Sequence, residues 1–275
     1  MELDIVSYDD LINPASVASH QMLEMALLQK GIVGVKDIPE YEKIARNYIH
    51  AARQFTALDE AIKQQYAPNR DTGDTEGYEA GVEKFINKKG EWQIDDQKIS
   101  YYAYIPTHYN NKWPTEVELR APYMALGELI FRTGKQVLNI LALNETAGLR
   151  HDILTGHCRM LHYRKESDAT YENPDWCGAH FDHSIFTGLI PAYYFCDGQE
   201  IDEPAEAGLY IKPTTGNDFK KIHANDKSIL LFQVGEFGQF LSHDRIRATE
   251  HIVKKAKGSI DRYTFALFYS ADDHT

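Results

Sequence analysis

The run GAHFDHSIFTGL (178–189) sets two histidines and an aspartate within four positions. On a strand, residues two apart share a face, so His180 and Asp182 project together while Phe181 and His183 point the other way. An imidazole beside a carboxylate offers two ligands of mixed softness to a divalent transition metal. A third ligand must come from elsewhere, and His251, in the late strand-like run ATEHIVKK, is the best candidate. Two histidines and one carboxylate on one face leave the other coordination positions open. That is the arrangement in which O₂ and a co-substrate can both reach Fe(II). An HxD triplet also arises by chance in a chain with twelve histidines, and a single histidine is more often a satisfied polar residue.

Arg262 and Thr264, in DRYTFALFYS, follow eleven residues after His251 and again share a face. A guanidinium is a planar two-pronged donor, and with a hydroxyl beside it makes a receptor for a carboxylate. A surface ion pair is the alternative for Arg262. His183 forms HxxH with His180, but its opposite strand face makes it a bystander. Trp176, Cys177 and the run Tyr193–Tyr194–Phe195 either line a pocket or belong to the core. Arg159 shares a face with Tyr163 and either meets an acidic substrate or pairs with a neighbouring carboxylate.

Two kinds of element must position these groups. Up to about residue 150 the pattern is mostly helical. Asn13 and Pro14 predict the start of a helix that Gly31 ends, and GIVGV (31–35) reads as a short buried strand. A second helix fits the apolar face Tyr41, Ile44, Ala45, Tyr48, Ile49, Ala52 and Phe55. The polar run PNRDTGDTEGY (68–78) predicts a loop, and a third helix is predicted from about 115 to 143. From 151 to 275 the chain changes to short β-branched and aromatic runs: HCRMLHYR, HSIFTGLIPAYYF, GLYIK, SILLFQV, ATEHIV and YTFALFYS. Turn signals such as DGQE, PTTGND and HAND separate them. The expectation is one domain over 1–275, mainly β with a helical N-terminal layer (α+β), whose core is a double-stranded β-helix, the jelly-roll of cupin-like proteins.

Composition narrows the partners. Hydrophobic residues at 43% and charged residues at 25% permit a substantial core. A formal charge of −12 argues against nucleic acid, whose phosphates need a basic surface. No apolar run approaches a membrane span. The opening MELDIVSYDD is acidic where a secretory signal would be basic and then apolar. Three cysteines without a CxxC pair suggest free thiols and a cytoplasmic location. The expected partner is a small-molecule substrate, with no reading of oligomeric state.

These motifs, in this order, resemble the iron(II)- and 2-oxoglutarate-dependent oxygenases of the isopenicillin N synthase-like family. GAHFDHSIFTGLI is similar to that family's HxD strand, and GLYIKPTTGNDFKKI to its GLQV hairpin. SILLFQVGEFGQFLSHDRIRATEHIV resembles the stretch carrying the distal histidine, and RYTFALF the RxS segment. LLQKGIVGVKDI, GYEAGVEK and NKWP match more loosely. The resemblance implies Fe(II) on His180, Asp182 and His251, with Arg262 and Thr264 on the far carboxylate of 2-oxoglutarate and Tyr163 donating a hydroxyl nearby. It implies a non-haem dioxygenase that consumes O₂, releases succinate and CO₂, and hydroxylates, desaturates or cyclises a small organic molecule, with ascorbate as an accessory reductant. Leu161 stands where the family frequently has asparagine, Thr264 replaces its serine, and Lys36–Asp37 replace the histidine of its HGI element. Three rivals stay open: an oxidase on the same scaffold that does not use 2-oxoglutarate, a metal-dependent hydrolase or isomerase on a cupin-like barrel, and a non-catalytic cupin-like binding protein.

Overall fold

The structure, a computed structural model, describes residues 1–87, 89–105, 111–141, 154–165, 173, 175–213, 216–223 and 226–271. Its strands are β1 (Ile5–Ser7), β2 (Ile32–Lys36), β3 (Gly77–Ala80), β4 (Lys84–Ile86), β5 (Trp92–Ile94), β6 (Lys98–Ile105), β7 (Leu154–Tyr163) and β8 (Asp175–His180). They continue with β9 (Phe186–Leu189), β10 (Tyr193–Cys196), β11 (Gln199–Ile201), β12 (Gly208–Ile211), β13 (Lys220–Lys221), β14 (Leu230–Val234), β15 (His251–Lys254) and β16 (Ile260–Ala271). The helices are α1 (Tyr8–Ile12), α2 (Val17–Gln29), α3 (Tyr41–Thr56), α4 (Glu60–Lys63), α5 (Arg120–Ile140) and α6 (Glu236–Leu241).

A large sheet runs β1-β2-β14-β9-β16-β7-β6-β3, with β10 added on β16 and β11 on β10. A four-stranded sheet, β13-β12-β15-β8, faces it, and β4 and β5 form a separate hairpin. Between the sheets lie two apolar clusters. One joins Leu161 and Ala266 to Trp176 and Val253; the other joins Ile32 and Leu231 to Leu209 and Ile211. This is the expected mainly β jelly-roll.

The twelve residues of β16 organise the rest. Alternation sends Tyr263, Phe265, Leu267 and Tyr269 into the main core against the helices, and turns Arg262, Thr264, Ala266 and Phe268 toward the space between the sheets. Phe265 is gripped edge-on by Tyr48 of α3 and Tyr123 of α5, each at 4.9 Å between ring centres. The Tyr48 hydroxyl then donates to the Thr264 carbonyl at 3.1 Å, and the Tyr269 hydroxyl to the Ile130 carbonyl at 2.6 Å. That approach requires Gly134, where an added Cβ would lie 2.0 Å from the Tyr269 oxygen.

Several boundaries differ from the sequence reading. Asn13 does not open the first long helix; it closes α1, and its side chain accepts from the Ala15 amide at 3.0 Å in a local turn, so α2 begins after Ser16. Gly31 ends α2 at φ 71°, as expected. α5 starts at Arg120 rather than near 115, because Pro122 is tolerated only in a first turn. The predicted tail at 142–143 lies outside the described residues, as do 214–215 and 224–225 of two predicted turns. β3 to β6 add four strands to a region read as helix and loop. β6 pairs with β7 from Lys98↔Tyr163 to Ile105↔Gly156. The run HSIFTGLIPAYYF divides into β9 and β10.

Candidate metal centre

His180 closes β8 and His251 opens β15, and the two are register partners on adjacent antiparallel strands. Their ring centres lie 4.1 Å apart. Asp182 is not on the strand, as simple alternation would have it. The strand stops at His180, and Asp182 lies in the loop that follows. Its carbonyl accepts the Glu236 amide at 2.8 Å, which pins the loop to the start of α6. Gly235 makes this possible, since a Cβ there would sit 2.0 Å from the Ser184 carbonyl oxygen. The loop still delivers the carboxylate. Asp182 Oδ1 is 3.7 Å from His180 Nε2 and 3.8 Å from His251 Nε2, and the three ligand atoms lie within 4.8 Å of one another.

Surrounding groups decide which atoms are free. His180 Nδ1 is 2.8 Å from the Gly178 carbonyl and His251 Nδ1 is 2.9 Å from the Thr249 carbonyl. Each bond fixes the proton on Nδ1 and turns the Nε2 lone pair toward Asp182; the Gln233 amide, 3.3 Å from His251 Nε2, would give up that contact to a metal and keep its bond to Asp182. Asp182 Oδ2 accepts from the Thr187 hydroxyl and the Gln233 amide, both at 2.7 Å, which leaves Oδ1 aimed at the imidazoles. Burial, reinforced by nearby His180, holds His251 below its usual range despite Asp182, so this ring is neutral as ligation needs. Burial also acts to lower His180, but the Cys177 sulfur, the Gly178 carbonyl and Asp182 outweigh it and raise the imidazole to about 9. An incoming cation must displace that proton. The donor set and its fixed tautomers fit a facial two-histidine, one-carboxylate metal site.

A cavity of about 510 Å³ opens from the triad into the space between the sheets, within the range of small-molecule sites. Its walls hold three buried polar atoms without a partner among the described residues: Arg262 Nη1, Gln233 Oε1 and His157 Nε2. Arg262 is buried, its Nε 3.4 Å from the Tyr194 hydroxyl and its guanidinium 5.1 Å above the Tyr163 ring. A buried cation with a free donor is an anion receptor. Thr264 shares this wall, but its hydroxyl donates to the Ile190 carbonyl at 2.9 Å. Tyr163 is buried beside Trp176, with ring centres 5.8 Å apart.

No family model and no curated protein matches the sequence. Solved structures do match in shape. A Caulobacter crescentus protein assigned to the 2OG-Fe(II) oxygenase family is 22% identical, with a TM-score of 0.74 over 98% of this chain and 87% of that one. A full-length Neurospora crassa protein, solved in complex with alpha-KG, gives 16% identity and a TM-score of 0.72 over 99% and 86%. Rice DAO, a dioxygenase for auxin oxidation, gives 16% and 0.72 over 98% and 84%. This is the fold of the 2-oxoglutarate/Fe(II) oxygenases.

Within this fold the chain brings six of the residues singled out above to one cavity. His180, Asp182 and His251 converge, Arg262, Thr264 and Tyr163 line one wall, and His183 is a bystander. Its side chain is 92% exposed and paired with Glu236 at 2.6 Å. Cys177 lines the cavity, whereas Trp176 and the Tyr193–Phe195 run are core. Arg159 also lines it, paired with Glu83. Sequence reasoning missed Gln233 and Thr187, the two groups that aim Asp182. Gln233 left a signal, a lone amide in the apolar strand LLFQV.

Proposed function

We propose that this protein is an Fe(II)- and 2-oxoglutarate-dependent oxygenase acting on a small organic molecule, with hydroxylation as the default outcome. The observation that carries this reading is the buried guanidinium of Arg262, whose Nη1 has no partner among the described residues, in the same cavity as three converging metal ligands. The first feature separates a 2-oxoglutarate enzyme from an oxidase that has no use for a second anion site; the second separates it from a mere binding module.

His180, Asp182 and His251 hold the metal on one face. When bound, Fe(II) supplies O₂ activation, so that 2-oxoglutarate, O₂ and substrate give succinate, CO₂ and the hydroxylated product. The chain's own residues do the rest. Gln233 and Thr187 keep one oxygen of Asp182 turned to the metal, and the carbonyls of Gly178 and Thr249 hold both imidazoles in the ligating tautomer. Arg262 takes the far carboxylate of 2-oxoglutarate, with Tyr163 beneath its guanidinium. Thr264 has one hydroxyl proton, so it joins that site only by leaving the Ile190 carbonyl. Leu161, Leu189, Leu209, Val253 and Phe268 present apolar surface that limits water in the cavity. Thymine bound to the Neurospora crassa protein supports a small-molecule substrate, as does the cavity's size. Among the described residues no helix is long and apolar enough to cross a membrane.

The test is to supply purified protein with Fe(II), ascorbate and 2-oxoglutarate in air and to measure succinate. Slow turnover without substrate is expected. Arg262→Leu should raise the KM for 2-oxoglutarate about thirtyfold or more, as removing one partner of a buried charged contact does. Tight zinc that iron cannot displace, with no succinate formed, would sink the reading.

A further inference from the structure

Two further charges, Lys98 and Arg159, line the same cavity on strands the triad does not use. β6 supplies Lys98, β7 supplies Arg159, and the segment before β4 inserts Glu83 between them. Glu83 pairs with both cations, which hold its carboxyl at about 2 although burial pushes the other way. Two largely buried cations therefore share one carboxylate, and the Cys177 sulfur lies 3.7 Å from Lys98 Nζ. At the metal end charges cancel: Fe(II) and Arg262 balance Asp182 and a doubly charged 2-oxoglutarate. The Cys177 thiol set aside, Lys98 and Arg159 together exceed Glu83 by one positive charge.

Arg159 has donors to spare. Its Nε donates to the Ser100 hydroxyl at 2.9 Å and its Nη2 to Glu83, while no described residue accepts from Nη1. Two positions along, on the same face of β7, His157 is stacked between Tyr104 at 4.5 Å and Tyr102 at 5.1 Å. Burial and the charge of Arg159 push it down to about 4, so it is neutral, yet its Nε2 is buried with no partner among the described residues. An unpaired buried nitrogen is unfavourable until a ligand pairs with it. Along the backbone, Arg159 lies four residues of β7 from Tyr163, the register partner of Arg262, a rise of about 13 Å between their Cα positions, so the two arginines are rooted at separate points of the wall.

We infer that Arg159 and His157 anchor the primary substrate, and that this substrate is a small molecule carrying one carboxylate. Arg159 Nη1 and His157 Nε2–H donate to that carboxylate, and Phe268 and Ala266, across from them on β16, flank the carbon skeleton leading to the metal. The inference rests on the oxygenase reading above. A cationic substrate seated on Glu83 is the competing reading.

The test uses full-length protein loaded with Fe(II) and 2-oxoglutarate under argon. Calorimetry measures binding of a panel of monocarboxylates, aliphatic and aromatic, each paired with its primary amide and its amine. Carboxylates should bind at least tenfold more tightly than their amides. Arg159→Leu should abolish that preference, Arg159→Lys should retain part of it, and His157→Phe should weaken carboxylates three- to tenfold; melting curves establish that each variant is folded. Should Arg159→Leu not fold, the graded loss in Arg159→Lys decides. Equal binding of amides, preferred binding of amines, no binding by any carboxylate, or an unchanged preference in the folded arginine variants overturns the inference. Absence of succinate from the wild type in air would instead overturn the oxygenase reading, so the two failures are distinguishable.

Discussion

The two faces of β16 are built from alternate residues of one strand and do different work. The helix-facing side is Tyr263, Phe265, Leu267 and Tyr269, closed by rings of α3 and α5 and by hydroxyls that cap carbonyls. The cavity-facing side is Arg262, Thr264, Ala266 and Phe268, mixed in polarity and with a donor left unsatisfied. One face contributes stability and the other holds an unmet need for a ligand. A two-residue period lets both properties coexist without a separate site domain.

The sharpest way to break that division is Phe265→Ala. Removing a fully buried ring held by two aromatic neighbours should cost about 3–5 kcal/mol of global stability, seen as a large fall in the thermal midpoint. Metal affinity of the protein that remains folded should stay unchanged; equal loss of both would show that the faces are not separable. Gln233→Leu is the converse. It should leave the melting temperature almost unaltered but weaken metal affinity about 10- to 100-fold, as loss of a group orienting a ligand does, measured by competition with a chelator.

The smallest effect is with pH. His180, raised to about 9, is protonated in the metal-free protein at neutral pH. Metal affinity should therefore rise up to about tenfold per pH unit below about 9 and level off above it. The same raised value means that the pairing of His180 with its neighbours stabilises the metal-free fold fully below about 6.5, and that this is lost as pH climbs through 9. Calorimetric proton release on metal binding at about pH 7.5 checks the sign: release of close to one proton is expected, and release near zero would refute the raised value.

Much of the site was legible because its chemistry is carried by residue types that are rare in strands. HxD, a distal histidine and a late RxT stand out from a β-branched, aromatic background, and the strands that carry them follow from alternation. Asp182 shows where that logic fails. The carboxylate reaches the imidazoles from a loop braced on α6, and no two-residue rule contains that brace. Glu83 and Lys98 were invisible for a different reason: their pairing joins residues fifteen apart across a turn, and each alone reads as surface charge. β6 was missed although Ile99, Tyr101, Ala103 and Ile105 alternate cleanly. Its other face, Lys98, Ser100, Tyr102 and Tyr104, is polar because it meets Arg159 and His157, not solvent. α1 was too short for a periodic signal.

Among the described residues β8 has only β15 beside it in the smaller sheet, and the last residue of β8 and the first of β15 are the two candidate histidine ligands. A margin of this kind is the place from which a sheet frays. A cation gripped by both imidazoles would act as a rivet through the selvedge, fastening this marginal strand to its neighbour. Loading the centre would then do more than equip it for chemistry: it would stiffen the edge of the smaller sheet.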